Sequence, residues 1–160
     1  MATYPRGMAH VGLTVPDIDA AIDWYRNVLG FTVSSPPATF EPDDDHVGEL
    51  LTDALGEFEQ LTIAHLSTSS GVAVEFLEFA ETEERASIEP QRAGWAHLCL
   101  VDPDVEELAG RIDEQGGDHY ADVWEIFPDE EYELTYCEDP FGNKLEIYSH
   151  SDEQIYANRS

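Results

Sequence analysis

Two histidines and two glutamates recur in this chain at matched positions: His10, Glu75, His97 and Glu146. His10 opens the segment His10-Val-Gly-Leu-Thr-Val-Pro-Asp-Ile18, which aligns without gaps on His97-Leu-Cys-Leu-Val-Asp-Pro-Asp-Val105, 87 residues later. Glu75 ends Gly71-Val-Ala-Val-Glu75, and Glu146 ends Gly142-Asn-Lys-Leu-Glu146, 71 residues later. Two imidazoles and two carboxylates form a nitrogen and oxygen donor set that suits one divalent transition metal, Zn²⁺, Ni²⁺, Fe²⁺, Co²⁺ or Mn²⁺. A lone histidine or glutamate in a strand is more often a hydrogen-bonded structural group. All four recur in the same order in both halves, and that symmetry carries the metal reading.

The elements that must position these residues are legible. Alternation in 8–15 predicts a strand with Val11, Leu13 and Val15 on one face and His10, Gly12 and Thr14 on the other. The same parity puts Glu146 opposite Leu145 and Ile147. Glu75 sits between Val74 and Phe76, and His97 between Ala96 and Leu98, in runs apolar on both faces. An ionised carboxylate there needs a partner. Asp17 is expected to cap a helix through about Val28, with Gly30 as its stop. A strand begins at Phe31. Residues 36–58, with Pro36-Pro37 and Pro42, read as a loop or excursion with a helical turn near 46–56. Strands are expected at 61–67 and 72–79. The second half repeats the order: strand 95–101, helix 104–115 ended by Gly116-Gly117, then strands near 119–125, 131–138 and 143–149. The reading is α+β, two βαβββ modules forming curled mixed sheets around a metal site. The first module spans 1–80, a Glu-rich linker 81–92, the second module 93–150, and a polar, frayed tail 151–160.

Thirty-five Asp and Glu face seven Lys and Arg in 160 residues, a net charge of −28, and Lys144 is the one lysine. Self-repulsion at this density opposes a compact fold in dilute buffer and is screened in molar salt, where the Debye length falls to about 3 Å. The acidity is spread along the chain, which favours adaptation to a high-salt halophilic cytoplasm over an acidic docking surface. It argues against nucleic acid or anionic lipid as partner. No run reaches ~18 consecutive apolar residues and no basic-then-apolar leader opens the chain, so a soluble, cytoplasmic protein with no membrane partner is expected. Cys99 and Cys137 fall inside expected strands and read as buried thiols rather than a disulfide framework.

Taken together, the repeated modules, the His of each opening strand, the Glu of each closing strand and the run Asp139-Pro-Phe-Gly-Asn-Lys-Leu-Glu-Ile147 resemble the vicinal oxygen chelate superfamily. Trp24-Tyr25-Arg-Asn-Val-Leu-Gly-Phe31 is similar to the first helix end of its members. That superfamily includes glyoxalase I, extradiol dioxygenases, methylmalonyl-CoA epimerase and the fosfomycin and bleomycin resistance proteins. The ligand order His, Glu, His, Glu is most similar to that of bacterial-type glyoxalase I. The resemblance implies a glyoxalase-like lyase or isomerase in which two vicinal substrate oxygens meet the metal. Glu146 or Glu75 would then act as the catalytic proton carrier through an enediolate. A 2-oxoaldehyde hemithioacetal is the implied small-molecule substrate. Tyr120, Trp124, Tyr136 and Lys144 are the substrate-binding candidates, and Arg6, Arg26, Arg92 and Lys144 are the supply of basic groups for a thiol carrier. Tyr120, Trp124, Tyr136 and His119 are candidates for an aromatic pocket in the ring-cleavage reading below. Two other readings stay open: Fe²⁺-dependent extradiol ring cleavage, with His10 or Glu75 redundant, and a non-catalytic ligand-binding protein of the bleomycin-resistance type. Members often assemble as homodimers, so the site is expected within one chain or shared between two.

Overall fold

The computed structural model describes residues 6–42, 45–82, 91 and 93–157, which fall into two compact units, 1–84 and 85–160. In the first, β1 (His10–Thr14) leads to α1 (Ile18–Leu29), β2 (Thr32–Phe40), α2 (His46–Leu55), β3 (Leu61–Ser67) and β4 (Ala73–Phe79). The sheet order is β1-β4-β3-β2, with β1 parallel to β4 and the other pairs antiparallel. In the second unit, β5 (Leu98–Val101), α3 (Val105–Glu114), β6 (Asp118–His119), β7 (Trp124–Glu125), β8 (Glu133–Glu138) and β9 (Lys144–Tyr148) precede α4 (Asp152–Tyr156). Its order is β5-β9-β8-β6, with β5 parallel to β9 and β7 also paired to β8. The architecture is α+β with two mixed sheets.

Helices α1 and α3 form for local reasons, and each then covers one face of its own sheet. Asp17 accepts a hydrogen bond from the Ala20 N–H (2.9 Å), and Glu78 of β4 accepts one from the Ile18 N–H (3.1 Å), so two carboxylates meet the positive end of α1. Ile18, Ala21, Ile22, Tyr25 and Val28 point inward, and Tyr25, fully buried, stacks edge-on against Phe76 of β4. In the second unit Val105, Leu108, Ala109 and Ile112 of α3 pack with the buried Leu145, Ile147 and Cys137. The opposite face of each sheet carries the polar residues.

Two hairpins fix the register on those faces. Thr68–Val72 joins β3 to β4, and Asp139–Asn143 joins β8 to β9. Gly71 and Gly142 occupy the same place in the two turns, both at φ +83°, a left-handed conformation that glycine adopts without penalty. Each donates its N–H to the first carbonyl of its turn at 3.2 Å. The second turn is also held by the buried Asp139 carboxylate, which accepts from the Phe141 and Asn143 N–H groups and the Asn143 side chain. That network gives the Asp-Pro-Phe-Gly-Asn motif a structural reason.

The architecture departs from sequence expectation at four places. β2 runs on through Pro36-Pro37 to Phe40 instead of ending in a loop, because it is an edge strand whose register shifts between Ser35 and Ala38 let the prolines omit their hydrogen bonds. His97 lies just before β5 rather than inside it. The single strand expected at 119–125 is divided into β6 and β7. Residues 151–157, expected to fray, form α4, where Ser151 and Gln154 make a reciprocal capping box and Ile155 is fully buried. Of the linker 81–92, residues 83–90 and 92 (and so Arg92) lie outside the described residues.

Candidate functional site

The two strand pairs that carry the recurrent residues are in equivalent register. Gly12 lies opposite Glu75 in the β1-β4 ladder, and Cys99 opposite Glu146 in the β5-β9 ladder. Each histidine stands two residues before that position, on the same open face as the glutamate. His10 Nε2 is 3.7 Å from Glu75 Oε2, and His97 Nε2 is 3.0 Å from Glu146 Oε2. The four residues are therefore placed as two like pairs, one in each unit.

A third side chain completes each cluster, and one of the two is absent from the sequence reading. His65 pairs with Glu75 across β3-β4, and Tyr136 with Glu146 across β8-β9. His65 Nε2 is 3.1 Å from Glu75 Oε1, while the Tyr136 hydroxyl donates to Glu146 Oε1. In both units, then, Oε1 faces the antiparallel neighbour and Oε2 faces the histidine. The rings repeat the likeness: His10 and His65 meet edge-on at 5.6 Å between centroids, as do His97 and Tyr136. A signal for His65 existed in the sequence, since the 71-residue offset that carries Glu75 onto Glu146 also carries His65 onto Tyr136.

The electrostatics follow from burial. Glu146 is 4% exposed, which is tolerable because both its oxygens are engaged. Burial, and then the hydrogen bond to Glu146, push the Tyr136 hydroxyl well above its ordinary range, so it stays protonated and donates. Cys137 is buried as expected, whereas Cys99 is exposed; partial desolvation and then the nearby Glu146 carboxylate push the Cys99 thiol up to about 12.

The remaining candidates divide. Lys144, on the open face with Glu146, is paired with Glu138 and lies over the Tyr120 ring at 4.2 Å from its centroid. Trp124 pairs with Leu134 and so shares the open face; it is 64% exposed. His119 instead lies 3.0 Å, through Nε2, from the Thr135 hydroxyl, and Thr135 is fully buried. Arg26 pairs with Asp23 at 3.8 Å along α1.

Ligands on adjacent positions of an ion with bonds of about 2.0–2.2 Å stand about 3–3.5 Å apart. The His97–Glu146 separation of 3.0 Å matches that span and the His10–Glu75 separation of 3.7 Å is slightly longer, so the donor types of each pair, taken by itself, suit two ligands of a divalent ion. Among the described residues no group of three or more His, Cys, Asp or Glu side chains is arranged to hold an ion by itself. Each unit offers a pair of ligands, not a full shell. No helix among the described residues is long and apolar enough to cross a membrane.

A family model described as the Glyoxalase/Bleomycin resistance protein/Dioxygenase superfamily matches residues 7–147. A 2-epi-5-epi-valiolone epimerase from Actinomyces sp is 26% identical over 145 residues, covering 86% of this chain and 76% of that protein. A glyoxalase family protein from Bacillus cereus has the same fold, with a TM-score of 0.74 at 20% identity over 92% of this chain and 97% of that one. Glyoxalase I from Zea mays gives a TM-score of 0.65 at 20% identity, over 91% of this chain and 45% of the maize protein.

Proposed function

The chain belongs to the glyoxalase/bleomycin resistance protein/dioxygenase superfamily, and on that footing we propose that it is a divalent-metal-dependent isomerase or lyase. It moves a proton next to a carbonyl in a small substrate bearing two vicinal oxygens. The observation that carries this reading is the repeated placement of a histidine Nε2 beside a glutamate Oε2 on the open face of each sheet. His10 with Glu75, and His97 with Glu146, are the ligands this proposal assigns.

When bound, the ion supplies Lewis acidity to two adjacent substrate oxygens. The protein's own groups do the rest. A glutamate beside the substrate removes the proton from the carbon next to the carbonyl and, in an isomerisation, returns it on the same face to the adjacent carbon. An epimerisation instead needs the proton delivered to the opposite face of the carbon it left, by a second acid on that side. Tyr136 and His65 hold the far oxygens of the two carboxylates, limiting their rotation. Tyr120 and Trp124 offer ring surface on the open face of the second sheet for the body of the substrate.

The charge around this face bears on the substrate. Lys144 is committed to Glu138, and the chain carries −28 overall. Those facts favour a neutral hydroxylated carbonyl compound over a hemithioacetal of an anionic thiol carrier, and the epimerase relative supports the isomerase half of the reading. The experiment is solvent deuterium incorporation next to the carbonyl, run on methylglyoxal hemithioacetals and on cyclic α-hydroxyketones, with Ni²⁺, Zn²⁺, Co²⁺ or Mn²⁺ added in turn. Exchange that requires metal and is lost in His97→Ala is expected. Ring opening of catechols with Fe²⁺ and dioxygen would transfer the assignment to a dioxygenase. Ligand binding by a protein that takes up no metal would make it a binding protein.

A further inference from the structure

The open face of the second sheet is laid out in cross-strand rows. Glu146 pairs with Tyr136 on one side and with Cys99 on the other. One row away, two residues along each strand and so about 7 Å, Trp124, Leu134, Tyr148 and Val101 pair in turn across β7, β8, β9 and β5. In the opposite direction Lys144 pairs with Glu138 and covers the Tyr120 ring. The row through Tyr148 is apolar and left open: Trp124 is 64% exposed and Val101 58%. Helix α4 brings one more ring to it. Its capping box and the fully buried Ile155 fix the helix, and Phe127 stands edge-on to Tyr156 at 6.1 Å between centroids. The Tyr156 hydroxyl then lies 3.2 Å from that of Tyr148. Two phenols at that distance share one hydrogen bond, which leaves one O–H and the remaining lone pairs for a third group.

We propose that Tyr148 and Tyr156 set the substrate specificity of this face. They hold a hydroxyl at the far end of a neutral, polyhydroxylated ring whose body lies on the row from Trp124 to Val101 and whose reacting end meets Glu146. This rests on the proton-transfer reading above and narrows its substrate class. A saturated ring bearing hydroxyls has C–H faces that lie against aromatic and aliphatic surface, and the hydroxyls at its rim both donate to and accept from a phenol pair. One row, about 7 Å, is the span of a six-membered ring with a substituent, so one such molecule reaches Glu146 and the two phenols together. A three-carbon oxoaldehyde is too short to do so. A catechol covers the row with its ring but brings no group to the phenols. An anion gains little, since the one lysine of the chain is paired with Glu138.

The test titrates the metal-free full-length protein with a pentahydroxycyclohexanone and with 2-hydroxycyclohexanone, followed by tryptophan fluorescence. The first probe carries hydroxyls far from its carbonyl and the second does not. The parent is expected to bind the pentahydroxy ketone at least about tenfold more tightly, with quenching that Trp124→Phe removes. Tyr148→Phe and Tyr156→Phe keep their rings, and each is expected to weaken that probe about 2- to 12-fold while leaving 2-hydroxycyclohexanone unaffected. The double variant is expected to bind both probes alike. A merely structural role for the phenols would lower the melting temperature and weaken both probes equally, so the selective loss is the decisive readout. Should Tyr148→Phe fold poorly, Tyr156→Phe, at the exposed end of α4, serves alone. Equal binding of the two probes by the parent, no binding of either at millimolar concentration, or an unchanged preference in both phenylalanine variants overturns the inference. So does a parent dimer, seen by sedimentation, that Trp124→Ser and Tyr156→Ser both dissociate, since a second copy would then cover the row. The isomerase reading fails separately. Selective probe binding with no deuterium exchange under any ion sinks that reading and supports the specificity assigned to the phenols, while exchange without probe preference keeps the reading and overturns the specificity.

Discussion

Gly12 offers a perturbation whose effects on stability and on function should have opposite signs. Its φ lies outside the left-handed region, so an L side chain strains nothing in the backbone. An alanine Cβ would stand 3.4 Å from Leu77 Cδ1 and 3.6 Å from Glu75 Oε2, both ordinary contacts. Glycine in a strand costs roughly 0.5–1 kcal/mol relative to alanine, largely through the freedom of the unfolded chain. Gly12→Ala should therefore stabilise by about that amount, raising the melting temperature by about 1–4 °C for a chain of this length. Valine adds two methyls about 1.5 Å farther out. They enter the space beside Glu75, where overpacking costs about 1–3 kcal/mol. Gly12→Val should thus reverse the stability gain and weaken Zn²⁺ binding at least about tenfold, by displacing a ligand. Calorimetry and metal titration on the three proteins read both quantities. A Gly12→Ala variant less stable than the parent by more than about 1 kcal/mol, or a Gly12→Val variant with parental metal affinity, would refute the idea that this glycine keeps the Glu75 seat open.

Other outcomes follow from the same structure. With −28 charges, the melting temperature should climb steadily between 0.1 and 2 M KCl as the Debye length contracts from about 10 Å to less than about 3 Å; a flat profile would remove the halophilic reading. Asp139→Ala deletes a buried acceptor of three hydrogen bonds and should destabilise by about 3 kcal/mol in urea titration; a loss under about 1 kcal/mol would show that the β8-β9 turn holds without it. Burial pushes the thiol of fully buried Cys137 from about 9 up to about 11. Its contribution to stability is then complete below pH 9 and is lost between about pH 9 and 11, because the unfolded chain gives up that proton first. The slope approaches about 1.4 kcal/mol per pH unit. Cys137→Ala should flatten the alkaline limb of a stability–pH curve by that amount, and an unaltered limb would contradict the assignment.

Much of the fold was legible because the local signals were redundant. Asp17, the helical spacing of Ile18, Ala21, Ile22 and Tyr25, and Gly30 all mark α1, and the structure places it at Ile18–Leu29 with Asp17 as its cap. The strand edges at Leu61, Ser67 and Phe79 were equally plain from the polar turn between them. Pro36-Pro37 misled, since a proline pair argues against a strand unless the strand is known to lie at an edge, and edges are a property of the whole sheet. The tail misled for a related reason: Ile155 is one apolar residue among polar ones, and its burial depends on what lies beneath it. Of the site, strand parity exposed His10 and Glu146, but periodicity sees one strand at a time. Strand periodicity gives His65 no meaning, which comes from its 71-residue match to Tyr136 and from Glu75, which it faces across the β3-β4 ladder.

That dependence on cross-strand register explains how a duplicated module can become asymmetric without losing its fold. Turns of the same length, each with a left-handed glycine at Gly71 or Gly142, keep His65 opposite Glu75 and Tyr136 opposite Glu146. The helix-facing residues keep each sheet covered. Neither constraint depends on which side chains flank the carboxylates on the open face. Differences between the halves are therefore free to accumulate around the carboxylates: glycine against cysteine at 12 and 99, histidine against tyrosine at 65 and 136. They sit beside Glu75 and Glu146, the carboxylates of the two repeated His–Glu pairs. Exchanging the flanking residues, His65→Tyr with Tyr136→His, should then leave the stability of the metal-free protein within about 1 kcal/mol of the parent, and a larger loss in urea titration would show that these side chains do set the fold.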